Sequence, residues 1–308
     1  MIVGTGMNWP SGKWKDKTFD GESALFEQWD AFYESNVLLL ETWKKELSSE
    51  TEFVLNEFIP FVGDWCDLDT IPEGMDKTKC PSWQDPKTAG GDPNLQHAKG
   101  VGINRKTLGW NAAAATFAYG YGTLATLGCE CDASSTGLHC VAHEKNVLSS
   151  ADKFVGQDQL IGGTWPDNEP AVSCMDWQTG QVNAKYWVTS LLAKTVGGKQ
   201  TKAILNSTVD GQSHGNSSAA YAMPYQLDTP GNARGMLLIN KRGSPATFTI
   251  AGATGGLASC VDGTGAGEDG PGFAPPIVKP ISSAGELTLG PYGVAMVTQL
   301  LGEKHEEL

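Results

Sequence analysis

The apolar residues of this 308-residue chain change their spacing near Gly197–Lys199, and that change limits the folds open to it. Upstream they recur at helical intervals in segments parted by short apolar runs. Leu25, Trp29, Phe32, Leu40, Trp43 and Leu47 mark one face of a helix that Asp20 can cap, with Asn36 interrupting the stripe. Residues 53–59 read as a buried strand stopped by Pro60, with the apolar flanks of a parallel sheet covered by helices. A second helix spans 110–127, with Gly128 placed to end it. A strand follows at 154–161, then a short extended piece at 171–177. Asn183 caps a third helix that Gly197 and Gly198 stop. Helix–strand–helix–strand–helix order predicts right-handed crossovers and α/β layering.

Downstream, short apolar runs at 235–240, 247–250, 257–261 and 294–299 alternate with Gly, Pro and Asn turns, which predicts an antiparallel β-sandwich. The expected organisation is 1–198, 199–302 and an acidic tail, 303–308.

Charge narrows the partners. With 22 Lys+Arg against 35 Asp+Glu, the net charge is −13, opposite to the clustered cations that phosphate binding needs. Nucleic acid is therefore excluded, and no apolar run is long enough for membrane insertion. No phosphate loop, nucleotide fingerprint or Gly-x-Ser-x-Gly elbow occurs, so no cofactor is expected. Oligomeric state has no sequence signal.

The compartment expected is the secretory pathway. His305-Glu306-Glu307-Leu308 is similar to an endoplasmic-reticulum retrieval signal, and Asn206 and Asn216 open glycosylation sequons. The opening residues have no signal-peptide pattern, so the natural start is expected further upstream. In an oxidising lumen Cys66 and Cys80 can staple one long loop, and Cys129, Cys131 and Cys140 are further disulfide candidates. Their connectivity is not readable from spacing. Zinc held by Cys129, Cys131, His139, Cys140 and His143 is the competing reading, but this spacing departs from the paired Cys-x-x-Cys patterns.

Glu57 is an acidic residue inside an apolar strand, followed by a long Gly/Pro-rich stretch. An unpaired buried carboxylate is expensive, so a function or a dedicated partner is expected. Trp65, Trp83, Trp110, Trp165 and Trp177 offer flat apolar faces to a ligand, and Asn56, Asn111, Gln157, Asp158, Gln159 and Asp176 offer polar groups; core packing competes for each tryptophan.

Six segments in order carry a family resemblance. They are Leu55-Asn56-Glu57-Phe58, Trp110-Asn111-Ala112-Ala113-Ala114, Val155-Gly156-Gln157-Asp158-Gln159-Leu160, Ser173-Cys174-Met175-Asp176-Trp177-Gln178-Thr179-Gly180, Asn183-Ala184-Lys185-Tyr186-Trp187-Val188 and Leu237-Leu238-Ile239-Asn240-Lys241-Arg242. Together they resemble retaining glycoside hydrolases of the (β/α)8-barrel clan, in the neighbourhood of families 39 and 79. The resemblance implies an α/β fold: the closing strand–helix units of a TIM barrel, then a sandwich packed against its side. Residues 53–59 would be the seventh strand and 154–161 the eighth. A whole barrel needs eight units and about 250 residues, so the chain is expected to be the C-terminal portion of an enzyme.

The resemblance makes Glu57 the nucleophile of a double displacement, with the acid/base in the missing portion. Asn-Glu also marks the clan's fourth-strand acid/base, but only one strand follows Glu57 before the sandwich. Asp158 would be a hydroxyl ligand or, less readily, the second carboxylate. The substrate implied is a carbohydrate. The alternatives are a non-catalytic carbohydrate-binding relative and a lumenal interaction protein.

Overall fold

A computed structural model describes residues 5–6, 26–27, 29–30, 53–55, 58–59, 109–125, 129–131, 139–142, 152–155, 161–162, 174–176, 180, 182–196, 201–205, 207–212, 215–227, 233–263 and 274–298. The strands are β1 (Thr5–Gly6), β2 (Phe53–Leu55), β3 (Phe58–Ile59), β4 (Cys129–Cys131), β5 (His139–Ala142), β6 (Asp152–Val155), β7 (Ile161–Gly162) and β8 (Met175–Asp176). They continue with β9 (Thr201–Leu205), β10 (Ala220–Leu227), β11 (Arg234–Asn240), β12 (Ala246–Thr249), β13 (Leu257–Val261), β14 (Ile277–Pro280), β15 (Glu286–Leu289) and β16 (Val294–Thr298). The helices are α1 (Gly109–Ala125) and α2 (Ala184–Thr195); Phe26, Glu27, Trp29 and Asp30 are also helical. The fold is mixed α/β, dominated by antiparallel pairing.

Its centre is an eight-stranded sheet in the order β14-β13-β16-β11-β10-β9-β5-β4, antiparallel at every pair. Side chains alternate between the faces of a strand, and here both faces are covered. Tyr221, Met223, Tyr225, Leu237, Ile239, Val294 and Met296 join one core with Phe26, Trp29, Ala112–Ala115 and Leu191 of the helical layer. Ala222, Met236, Leu238, Ala295 and Val297 join a second core with Phe248, Leu287 and Leu289 of the small β12–β15 sheet. The sandwich is therefore one face of a three-layer body. The β4–β5 hairpin, from a stretch that reads as irregular in sequence, extends the same sheet.

Helix α1 approaches this sheet closely because Gly122 has no side chain. A Cβ there would stand 2.6 Å from Cε1 of Tyr221. Glycine inside a helix costs about 1 kcal/mol relative to alanine, which the close packing of helix on sheet offsets. Helix α2 starts as its sequence demands: Oδ1 of Asn183 accepts from the backbone N–H of Lys185 at 3.0 Å and of Tyr186 at 3.4 Å. At its other end Val196 N–H donates to Leu192 O at 2.9 Å.

Parallel pairing occurs in three short sheets, β1–β3, β2–β6 and β7–β8. Of the strand expected at 154–161, Phe154 and Val155 close β6 and Ile161 opens β7, which pairs with Met175–Asp176; positions 156–160 lie outside the described residues. Of the strand expected at 53–59, Phe53–Leu55 and Phe58–Ile59 are extended, and Asn56 and Glu57 lie outside the described residues. Among the described residues the parallel strands do not close into a barrel.

Candidate functional site

The 53–59 stretch changes partner at its centre. Its first half lies parallel to β6, with Val54 opposite Phe154 and Leu55 opposite Val155. Its second half lies parallel to β1, with Phe58 opposite Thr5 and Ile59 opposite Gly6. The chain positions after Leu55 and Val155, Asn56-Glu57 and Gly156-Gln157-Asp158-Gln159, therefore follow the same ends of two neighbouring parallel strands. In β/α proteins the C-terminal ends of parallel strands are where ligand-handling residues gather.

Asn56, Glu57, Gln157, Asp158, Gln159, Trp165 and Trp177 themselves lie outside the described residues, as do Trp65, Trp83, Cys66, Cys80, His143 and Asn206. Trp110 is the second residue of α1, and Asp176 ends β8 beside Gly162 of β7.

Asn111 has a defined and unusual setting. It is 1% exposed, and neither Nδ2 nor Oδ1 has a hydrogen-bond partner. A buried amide without partners carries a desolvation cost of about 1–3 kcal/mol. As the third residue of α1 it projects toward the helix start, because Cα–Cβ bonds tilt that way. The first-turn N–H groups there have no acceptors within the helix, and the first turn holds no acidic side chain. The Asn111 amide at this end of α1 is hydrogen-bond capacity that the chain itself does not use.

A second buried polar group lies at the start of α2. Asn183 N–H donates to Cys174 O at 3.0 Å, and Met175 and Val182 form an antiparallel bridge. Lys185, fully buried, shares this corner with the buried Cys174 thiol. Burial pushes Lys185 down to about 8, opposed by the thiol, and pushes Cys174 up to about 11, opposed by the lysine. At neutral pH the sulfur is therefore a thiol, a poor nucleophile.

A third group joins the helical layer to the sheet. Tyr119 donates to Oδ1 of Asp30 at 2.6 Å and accepts from Nδ2 of Asn216 at 2.8 Å. Lys241 donates to Oδ1 of Asn216, and its ammonium lies over the Tyr119 and Phe26 rings. The sequon asparagine, half-buried, thus bridges two buried side chains. Sequence reading missed Lys241, Lys185 and Tyr119 as structured groups; the only signal was that the first two fall within the quoted motifs.

An apolar cavity of about 150 Å³ sits between the helices and the sheet, lined by Tyr121, Leu192, Ile204, Met223, Tyr225 and Met296. Among the described residues its lining carries no carboxylate. For the zinc reading, Cys129, Cys131, His139 and Cys140 belong to the paired strands β4 and β5, and His143 lies outside the described residues. No helix among the described residues is long and apolar enough to cross a membrane.

No protein-family model matches the chain, and no curated protein does. Among solved structures it is similar to the GH51 arabinofuranosidase from Xanthomonas axonopodis pv. citri, with TM-score 0.43 and 9% identity over 90% of this chain. The chain spans about half the length of that protein, 47%. A TM-score under 0.5 does not establish a common fold.

Proposed function

We propose that the chain carries part of a carbohydrate site, and more specifically part of a retaining glycoside hydrolase of β/α architecture followed by a sandwich. The observation that carries this reading is the parallel pairing of β2 with β6, the two strands that Asn56-Glu57 and Gly156-Gln157-Asp158-Gln159 follow in sequence. In this reading Glu57 is the nucleophile, and the acid/base lies in sequence this chain does not contain. Gln157, Gln159 and Asn111 bind hydroxyls, and Trp165 stacks on the sugar. The unused hydrogen-bond capacity of Asn111 supports a polar ligand.

The reading is tested with glycosyl fluorides in which fluorine also replaces the neighbouring ring hydroxyl. These carry their own leaving group, so trapping needs the nucleophile but no acid: the carboxylate displaces fluoride and remains as a glycosyl ester. The expected result is a single ester on Glu57, absent in Glu57→Gln. An ester on another carboxylate, or none across gluco, galacto, xylo and glucurono reagents, overturns the nucleophile assignment. Sugar binding without ester formation would favour a non-catalytic carbohydrate-binding protein.

A further inference from the structure

We infer that Cys131 and Cys140 form a disulfide across the β4–β5 hairpin at the edge of the central sheet. The sequence leaves three pairings open among Cys129, Cys131 and Cys140, and the register separates them. Cys131 stands directly opposite Cys140, whereas Cys129 stands opposite Ala142. Directly opposed antiparallel residues have Cα atoms about 4.5–5.5 Å apart, inside the roughly 4.4–6.8 Å range a disulfide spans. The diagonal Cys129–Cys140 separation, about 7–8 Å, lies outside it. Cys129 and Cys131 lie two positions apart on one extended strand, where the rise of about 3.3 Å per residue sets their Cα atoms close to the upper limit. The buried thiols of Cys174 and Cys260 are free and sit in other elements, so they do not compete.

The hairpin's position gives the bond a role. β5 is held to the rest of the sheet through His139 opposite Leu205 and Cys140 opposite Ile204, and β4 is the last strand. An outer strand with an unpaired edge is open to fraying and to pairing with other chains. The bond fastens this strand to its neighbour at the end nearest the hairpin loop.

Its formation needs a disulfide donor, a small-molecule or protein disulfide. The Cys131 thiolate attacks one donor sulfur and releases the first donor thiol; the Cys140 thiolate then attacks Cys131 sulfur and releases the second. Two protons leave the cysteines, and the donor disulfide is reduced to two thiols.

The test is peptide mapping of the full chain oxidised by glutathione disulfide, once folded and once in denaturant, then alkylated without reduction. Cleavage after Glu130 and before Asp132 separates the three cysteines. The folded chain should give a Cys131–Cys140 cross-link, lighter by two hydrogens than its parts, with Cys129 alkylated. Its excess over Cys129–Cys140 should be on the order of tenfold, set by the register, and should collapse in denaturant, where both pairings are equally near. Cys140→Ser should leave Cys131 alkylated. A folded chain with Cys131 and Cys140 both alkylated, or with Cys129 as the linked residue, overturns the assignment.

Discussion

The ammonium of Lys241 stands 4.1 Å from the centre of the Tyr119 ring, placing a buried cation from the end of β11 over an aromatic side chain of α1. The same tyrosine packs edge-on against Phe26 and Tyr221, with centroids 5.4 and 5.0 Å away. The helical layer is thus joined to the sheet by a polar contact set inside an aromatic one. Burial, and then the Asp30 charge, hold the Tyr119 hydroxyl far above its ordinary range, so it is protonated and can donate to Asp30.

Tyr119→Phe keeps the ring and deletes the hydroxyl that donates to Asp30 and accepts from Asn216. The expected loss is about 1–3 kcal/mol, the cost of leaving buried partners of a deleted group unsatisfied. Urea unfolding with an unchanged m-value checks it; no change in midpoint would mean that water replaces the hydroxyl.

The two buried lysines make stability depend on pH. Lys185 and Lys241 are each pushed from 10.5 down to about 8, by burial first; Cys174 opposes the shift of the former, Asp30 and Glu27 that of the latter. Between these values the unfolded chain binds more protons than the folded one, so stability rises with pH above about 8, by at most about 1.4 kcal/mol per pH unit for each lysine. Cys174 and Cys260 work the other way from their ordinary 9.0 upward, since burial raises them to about 11 and about 12. Tyr225, raised from 10.0 to about 12, adds to the fall. Urea midpoints should therefore climb from pH 8 toward 9 and flatten or decline above it, and Lys241→Met should remove part of the climb.

Legibility followed local physics. The Asn183 cap and the 257–261 strand are encoded within a few residues, and they occur where the sequence places them. Strand β10 was not legible because Pro224 sits in its middle; the β9 ladder starts only at Tyr225, one residue beyond. β1, a Thr-Gly pair, has no apolar signal and is a strand only through its partner β3. The three-layer arrangement was hidden because β10, β11 and β16 are buried on both faces and lack polar alternation. For the candidate site, sequence supplied residue types, while the parallel pairing of the strands that precede them, β2 with β6, is a long-range property.

Gly122→Ala should destabilise despite alanine's better helix propensity. The added Cβ meets the Tyr221 ring at 2.6 Å, and overpacking of this kind costs about 1–3 kcal/mol, more than the roughly 1 kcal/mol that propensity returns. Combining it with Tyr221→Leu should recover part of the loss in a double-mutant cycle. Additive effects would show that helix and ring do not press on each other.

Asn111→Leu separates folding from ligand binding. The native amide is buried without a hydrogen-bond partner, so an apolar side chain of similar volume removes a desolvation cost and breaks no hydrogen bond within the chain. The thermal midpoint should stay level or rise. If the start of α1 holds a sugar hydroxyl, as proposed, the same substitution should weaken sugar binding by about 1–3 kcal/mol, roughly 5- to 140-fold. Calorimetric titration of native and Asn111→Leu proteins with one monosaccharide measures this beside the melting curve. Asn111 would then be a residue whose cost to folding is offset only when ligand is bound. A large fall in the midpoint with binding unchanged would make it a packing residue and remove it from the site.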